Sequence, residues 1–181
     1  QFVPATQREA AYVGETLAFA AGRALLEPRT LAKMLDALAI RGDELVLDLA
    51  VGYGYSSAVI ARMAEAVIAV EPDEALAAEA ETALAGTGAN NVVVVCGPAQ
   101  DGAAQHGLYD VITVQGGIEE FPRTLSDQLK DGGRVAAVFM DGALGTVRLG
   151  IKRAGVVHWR DLFNAAAPVL PGFERARAFA L

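Results

Sequence analysis

The chain has 181 residues, of which 53% are hydrophobic and 20% are charged. This size and composition are typical of one soluble globular domain. No stretch resembles the roughly 20 apolar residues that a bilayer span needs, so we expect no membrane partner. A formal net charge of −7 opposes contact with a polyphosphate backbone, so no nucleic acid partner is expected either. The sequence leaves the oligomeric state open.

The residues that usually bind metals or form disulfides are scarce. A single cysteine, Cys96, follows a valine run and is expected to pack as a small buried hydrophobe. It cannot form an internal disulfide, which favours a reducing, cytoplasmic setting. His106 and His158 are far apart and have no cysteine or carboxylate neighbours at metal-ligand spacing, so no metal is expected. Because the chain begins at Gln1 rather than Met, we also expect natural residues upstream.

The first forty residues differ from the rest in pattern. Residues 6–19 and 29–39 have mostly helical patterns. We therefore expect residues 1–40 to form a helical segment that packs on a core made of residues 41–181, within a single domain.

From residue 44 onward, short β-rich runs alternate with helical patterns, which is typical of βαβ units that build a parallel sheet. The strand runs are continuous in Val, Ile or Ala, as expected when both faces of a sheet are covered. The predicted strands are residues 44–49, 66–70, 91–96, 109–115 and 134–140. The predicted helices are residues 56–64, a helix that begins at Pro72 and ends at Gly86, and residues 119–130 closed by Gly132 and Gly133.

The last two β-like runs follow each other too closely for a helical crossover. Residues 145–153 and 156–163 are joined only by Ala154 and Gly155, so they predict an antiparallel hairpin at one sheet edge. The expected fold is therefore α/β and Rossmann-like, with a mostly parallel sheet and a C-terminal antiparallel hairpin.

A glycine-rich turn follows the first predicted strand of this sheet, in residues 48–55. Gly52 and Gly54 lack the Cβ atoms that would prevent close approach of the backbone to a ligand, and the next helix offers free N–H groups. Glu71 lies 17 residues after Gly54, at the end of the second strand, where an acid can accept both hydroxyls of a ribose. The turn therefore predicts a nucleoside-containing cofactor.

Charge distinguishes two such cofactors. The carboxylate of Asp48 at the turn would repel the pyrophosphate of a nicotinamide dinucleotide, whereas S-adenosylmethionine brings an ammonium and a sulfonium and no phosphate. Ser57 also occupies the place of the third glycine in the dinucleotide fingerprint. We therefore predict S-adenosylmethionine. Asp48 could instead cap the next helix or pair with an arginine, and the glycines could serve only a tight turn.

Several segments carry a resemblance to a known family. They are the Phe-Val-Pro of residues 2–4 followed by Tyr12, the Leu-Val-Leu-Asp of residues 45–48 that leads into the glycine turn with Tyr55, and the segments 109–112 and 125–134. Together they resemble the protein-L-isoaspartate O-methyltransferases over nearly the whole chain. The resemblance implies a seven-stranded sheet, S-adenosylmethionine as methyl donor, and methylation of isoaspartyl carboxylates in damaged protein or peptide substrates.

The sequence departs from the family pattern at three places. Ala50 replaces the first glycine of the turn, which should be tolerated if its φ is negative. Gly97-Pro98-Ala99 replaces a Gly-Asp-Gly, so the adenine contact would fall to backbone groups of Pro98 and Ala99. Residues 24–26, Ala-Leu-Leu, replace a Thr-Ile-Ser, so both hydroxyls are lost. If the family serine positions the substrate carboxylate, Arg23 or Arg29 would have to replace Leu26 in that role.

These arguments give two sets of candidate residues and no assigned catalytic residue, because an ionised carboxylate acceptor needs no general base. The predicted cofactor-binding residues are Asp48, Ala50, Gly52, Gly54, Tyr55, Glu71, Pro72, Gly97, Pro98, Ala99, Gln115 and Gly116. The predicted substrate-binding residues are Arg23, Leu26, Glu27 and Arg29. A methyltransferase with another acceptor and a cofactor-binding homologue without repair activity stay open as alternatives.

Overall fold

The protein has the expected α/β architecture, built around one seven-stranded sheet. The structure is a computed structural model that describes residues 2–10 and 16–176. The sheet order is β5-β4-β3-β6-β7-β8-β9, parallel from β5 to β7 and antiparallel from β7 to β9. Its strands are β3 (Leu45–Leu49), β4 (Ala66–Glu71), β5 (Val92–Cys96), β6 (Tyr109–Ile118), β7 (Leu129–Asp141), β8 (Leu144–Arg153) and β9 (Val156–Asn164). The order of β3, β4 and β6 places the reversal point of the sheet at the end of β3, beside the glycine turn.

Helices cover both faces of the sheet and bury its apolar strands. They are α1 (Pro28–Leu38), α2 (Tyr55–Ile60), α3 (Glu74–Ala85) and α4 (Arg123–Gln128). The core has two apolar clusters, one that includes Leu47, Ile112 and Leu125 and another that includes Met34, Val46 and Val138. The predicted helix from Pro72 to Gly86 is confirmed, and the side chain of Asp73 caps it by accepting from the N–H of Leu76 at 3.0 Å.

The predicted helix over residues 6–19 is present only as one short 3-10 helix, and its end is wrong. A 3-10 helix spans Ala5–Ala10, residues 11–15 including Tyr12 lie outside the described part, and β1 (Leu17–Ala20) pairs antiparallel with β2 (Arg23–Leu25). Gly22 adopts a φ of 67° and reverses the chain, and the burial of β1 alternates with the period of a strand. The helix expected over residues 29–39 is present as α1.

The helix expected over residues 119–130 is shorter than predicted. It begins at Arg123, because Pro122 in an extended conformation precedes it, and it ends at Gln128 rather than at the two glycines. Residue 129 already pairs with Tyr109 of β6, so Gly132 and Gly133 lie within β7. The hairpin of β8 and β9 is confirmed, with Ala154 and Gly155 both at positive φ in its two-residue turn.

The burial predicted for Cys96 is also wrong. Cys96 is exposed. It is the last residue of β5, which is an edge strand of the sheet. Within the described residues, no helix is long and apolar enough to span a bilayer.

Candidate functional site

The turn between β3 and α2 has the backbone that its glycines predict. Gly52 and Gly54 adopt φ of 57° and 84°, in the left-handed region that glycine enters without steric cost. Ala50 is also left-handed, with a φ of 60°. The negative φ under which alanine should be tolerated here is therefore absent, and the methyl group that replaces a hydrogen in this turn strains the backbone.

Asp48 lies beneath the turn rather than at its mouth. Its side chain is fully buried and accepts hydrogen bonds from Ser56 Oγ at 2.6 Å, Ser57 Oγ at 2.7 Å and Gln115 Nε2 at 2.7 Å. Burial raises the pKa of Asp48 to about 6, although these three donors favour the charged form. The carboxylate thus ties the end of β3 to the start of α2 through two serine hydroxyls. It does not cap α2, whose N-cap is Gly54 and has no side-chain hydrogen bond, and it reaches any ligand only through its donors.

Glu71 ends β4 at the predicted position, but other groups already engage it. Its Oε1 accepts from Arg23 Nη1 at 2.9 Å and from the N–H of Asp73 at 3.1 Å. Its Oε2 accepts from Arg23 Nη2 and from the N–H of Gly52, both at 2.7 Å. The Arg23 that was expected to bind substrate is therefore paired with the Glu71 that was expected to bind ribose.

The hairpin of β1 and β2 carries Arg23 and covers the glycine turn. A Cβ added at Gly52 would lie 2.9 Å from Cζ of Phe19, so the phenyl ring packs directly on this glycine. The same ring lies edge-on to Tyr53 with a centroid distance of 5.6 Å, and the Arg23 guanidinium lies 5.5 Å from its centroid. Sequence analysis missed Phe19, because its contact with the turn depends on a hairpin that was expected to be a helix.

A cavity of about 340 Å³ opens beside the turn, at the carboxyl ends of β3, β4 and β5. Its volume falls within the range of about 300–1,000 Å³ that is usual for small-molecule sites. The predicted residues Ala50, Pro72, Gly97, Pro98 and Ala99 line it. They are joined by Arg23, Gln100, Leu170, Pro171 and Gly172. The C-terminal segment therefore supplies a wall, which no pattern in its sequence indicated.

A much smaller cavity of about 10 Å³ touches Ala50 from the other side of the hairpin. Tyr55, Gln115 and the buried Leu26 line it, which places Leu26 near the glycine turn. Glu27 is half-buried at the start of α1, and Arg29 is exposed. A Cβ at Gly116 would lie 2.6 Å from Leu170, so this glycine lets the C-terminal wall pack closely.

Metal-ligating side chains do not cluster in residues 2–10 and 16–176. No group of three or more His, Cys, Asp or Glu residues there could hold an ion, and both histidines are exposed. The chemistry that the described site supports is binding and positioning of an organic ligand.

Comparison with known proteins identifies the family. The sequence model described as Protein-L-isoaspartate(D-aspartate) O-methyltransferase (PCMT) matches residues 1–148. The chain belongs to this family. S-adenosylmethionine is the cofactor of the PCMT family, and its members are methyltransferases.

Curated relatives agree with this placement. A "Protein-L-isoaspartate O-methyltransferase 2" from Polaromonas sp. is 35% identical over 176 residues, covering 95% of this chain and 82% of the relative. A protein of the same name from Anaeromyxobacter sp. is 37% identical over 149 residues, covering 82% of this chain. The match spans only 60% of that second relative's length.

Solved structures confirm the class I methyltransferase fold. A protein-L-isoaspartate O-methyltransferase aligns with a TM-score of 0.78 and 25% identity, covering 88% of this chain and 53% of the other. A putative PCMT from Plasmodium falciparum, solved in complex with S-adenosyl-L-homocysteine, aligns with a TM-score of 0.75 over 90% of this chain and 83% of that one. At 18% identity, the second likeness shows the fold alone.

Proposed function

We propose that this chain binds S-adenosylmethionine in the 340 Å³ cavity and transfers its methyl group to a carboxylate of isoaspartyl residues in proteins. The observation that carries the proposal is the position of the cavity, beside a turn of positive φ at the reversal point of the sheet. The residues present fit the cofactor. Pro72, Gly97 and Ala99 line an apolar part of the cavity that suits an adenine ring. Backbone groups of Pro98 and Ala99 can form hydrogen bonds with that ring.

The bound cofactor would supply an electrophilic methyl group on a sulfonium. The chain's own contribution is to hold the acceptor oxygen in line with that methyl at about 3–3.5 Å. An isoaspartyl carboxylate has a pKa near 4 and is already ionised at neutral pH, so the site needs no general base. Leu26, Tyr55 and Gln115 line the small cavity beyond Ala50 and are the residues closest to this task.

One observation favours a second candidate, a methyltransferase for a different acceptor. Leu26 is buried where the family resemblance puts a hydroxyl, and Arg23 is paired with Glu71. Of the two arginines expected to replace that hydroxyl, only the exposed Arg29 is free of such a pair in the described contacts. A carboxylate bound beside Leu26 would lose a charge-assisted hydrogen bond, which is worth about 1.5–3 kcal/mol.

Calorimetric titration tests the cofactor. We expect S-adenosylhomocysteine to bind and NAD to bind at least a hundredfold more weakly, because S-adenosylmethionine is the cofactor of the PCMT family and Ser57 occupies the place of the third glycine of the dinucleotide fingerprint. Tight binding of NAD, or no binding of S-adenosylhomocysteine, would contradict the proposal.

Transfer of radiolabelled methyl to an isoaspartyl peptide, with the matched aspartyl peptide as control, tests the acceptor. We expect slow transfer to the isoaspartyl peptide alone, and a rise of at least tenfold in Leu26→Ser, since each 1.36 kcal/mol changes a rate tenfold. Arg29→Ala should abolish the activity if Arg29 orients the carboxylate. If S-adenosylhomocysteine binds but neither the native protein nor Leu26→Ser modifies the peptide, the isoaspartyl acceptor is wrong, and the chain is either a methyltransferase for another acceptor or a cofactor-binding homologue without repair activity.

Protein repair and a cytoplasmic location extend the same proposal. Both follow from an isoaspartyl acceptor in a chain whose one cysteine cannot form an internal disulfide.

A further inference from the structure

The pair of Arg23 and Glu71 lies where the spacing from the glycine turn predicts a carboxylate that is free for the ribose. Both side chains are buried, with Arg23 8% exposed and Glu71 0% exposed. The pair is bidentate, with contacts of 2.9 Å and 2.7 Å, and Arg23 Nη2 also donates to the carbonyl of Ala50 at 3.1 Å. Such a planar pair fixes both partners in position.

Glu71 has no acceptor capacity left for a ligand. An ionised carboxylate offers about four lone-pair sites. Two donors from Arg23 and the N–H groups of Gly52 and Asp73 fill them. A ribose hydroxyl cannot donate to this carboxylate while Arg23 stays in place.

Arg23 itself carries an unused donor. Its Nε is buried and has no hydrogen-bond partner among the described residues. Arg23 also lines the 340 Å³ cavity together with Ala50 and Pro72, between the glycine turn and the apolar part of the cavity. A buried guanidinium donor without a partner is costly and is readily explained by a ligand atom that completes it.

We infer that Arg23 is a specificity-determining residue that holds the ribose, with Nε–H donating to one of its hydroxyl oxygens. Glu71 then acts as a positioning residue that orients the guanidinium. The inference rests on the proposed function, since the ligand is the nucleoside half of S-adenosylmethionine. It reverses the hydrogen bond expected at this position, because the hydroxyl accepts from the protein instead of donating to a carboxylate.

The variant Arg23→Lys distinguishes ribose binding by Arg23 from a role in which residue 23 only pairs with Glu71. An ammonium at residue 23 can still pair with Glu71, but it has no Nε–H to offer. Arg153→Lys, at an exposed arginine that ends β8 at the opposite end of the sheet, is the matched control. The ligands are S-adenosylhomocysteine and its 2′-deoxy and 3′-deoxy forms, and the measurement is the dissociation constant by calorimetry.

We expect one of the two deoxy ligands to bind the native protein and Arg153→Lys at least tenfold more weakly than the parent. In Arg23→Lys that difference should shrink to less than threefold, while affinity for the parent falls by a similar factor. An undiminished deoxy effect in Arg23→Lys would overturn the inference and show that Glu71 binds the ribose directly. Failure of the native protein to bind S-adenosylhomocysteine would instead contradict the proposed function.

NMR of the native protein gives a readout that does not depend on how the variants fold. The Arg23 Nε–H resonance should shift, and its exchange with water should slow, when S-adenosylhomocysteine is added. The deoxy ligand that binds weakly should leave this resonance close to its ligand-free position even at saturation. If all three ligands shift it equally, or none does, Arg23 does not contact the ribose.

Discussion

At the scale of single residues, Asp48 is a buried carboxylate that positions the elements around the glycine turn and does not itself contact a ligand. Its three donors come from β6 and α2, so the carboxylate holds the turn's two flanking elements together. Its pKa of about 6 lies well above the ordinary value of 3.8, and burial is the cause. The folded protein therefore binds a proton at Asp48 more tightly than the unfolded chain does.

This pKa predicts a stability change with pH. Because the folded-state pKa is raised, the free energy of unfolding should increase as pH falls through 6 towards 4, by about 2 kcal/mol between pH 7 and 4.5. Other carboxylates such as Glu44 have lowered pKa values and act in the opposite direction, so the comparison is with Asp48→Asn. Urea unfolding at several pH values should show that the native protein gains stability relative to Asp48→Asn over this range. Parallel curves for the two proteins would contradict the assignment.

Ala50 makes a second prediction at this scale. A non-glycine residue at a φ of 60° costs about 1–2 kcal/mol, whereas glycine makes the unfolded chain more flexible at a cost of about 0.4–1 kcal/mol. Ala50→Gly should therefore raise the free energy of unfolding by about 0.5–1 kcal/mol in thermal or urea unfolding. Ala69→Gly, in the extended strand β4, is the control and should lower it.

At the scale of elements, the turn between β8 and β9 contains a second alanine that is strained by a positive φ, as Ala50 is. Ala154 and Gly155 have φ of 49° and 79°, the pair of positive values that defines a type I′ turn. Ala154→Asn should stabilise the protein by about 0.5–1 kcal/mol, because asparagine tolerates the left-handed region and Asn-Gly is favoured in this turn. Ala154→Val should destabilise it instead. If thermal unfolding gives the two variants the same midpoint, the turn is not strained.

The elements that sequence predicts well are those that local pattern decides. The Val-rich run that forms β4, the proline and acids that start α3 and the two-residue link before β9 each carry their own signal. The β1 and β2 hairpin was missed because its alanines suit a helix equally well, and its position depends on the distant contacts of Phe19 and Arg23. The same limit hid the wall at Leu170, since nothing near it in sequence marks its packing against Gly116.

At the scale of the whole molecule, one ion-pair network joins the amino-terminal helix to the sheet. Arg134 of β7 donates to the buried Glu44 at 3.0 Å and 2.6 Å, and its Nε donates to the carbonyl of Leu38 at the end of α1 at 2.7 Å. Although burial alone would raise the pKa of Glu44, hydrogen bonds from Arg134 and Arg41 hold it below the ordinary value. The network supports our proposal that residues 1–40 pack on the core as part of a single domain.

Removal of this arginine should destabilise the entire fold. Arg134→Ala leaves Glu44 with only Arg41 as a partner and removes the donor to the last carbonyls of α1. We therefore expect the free energy of unfolding to fall by about 3 kcal/mol. The melting temperature should fall by about 6–12 °C in calorimetry at pH 7. The loss should shrink as pH falls through the lowered pKa of Glu44, because the folded-state carboxylate then takes up a proton and no longer needs the pair. Arg123→Ala removes an exposed pair with Asp127 and should change the melting temperature by less than about 2 °C. Equal effects of the two variants would contradict this role.

The wall of the ligand cavity at Leu170, Pro171 and Gly172 has a consequence for the timing of synthesis. These residues leave the ribosome about 120 positions after Gly52 of the turn, which is a delay of about 6–24 s at the usual rate of translation. During that interval the parallel strands and the glycine turn can already have folded, while one side of the cavity is still open to solvent. A nascent chain can therefore form its parallel strands, which end at Asp141, before it can retain a nucleoside, so the ligand does not assist the early steps of its own host's folding.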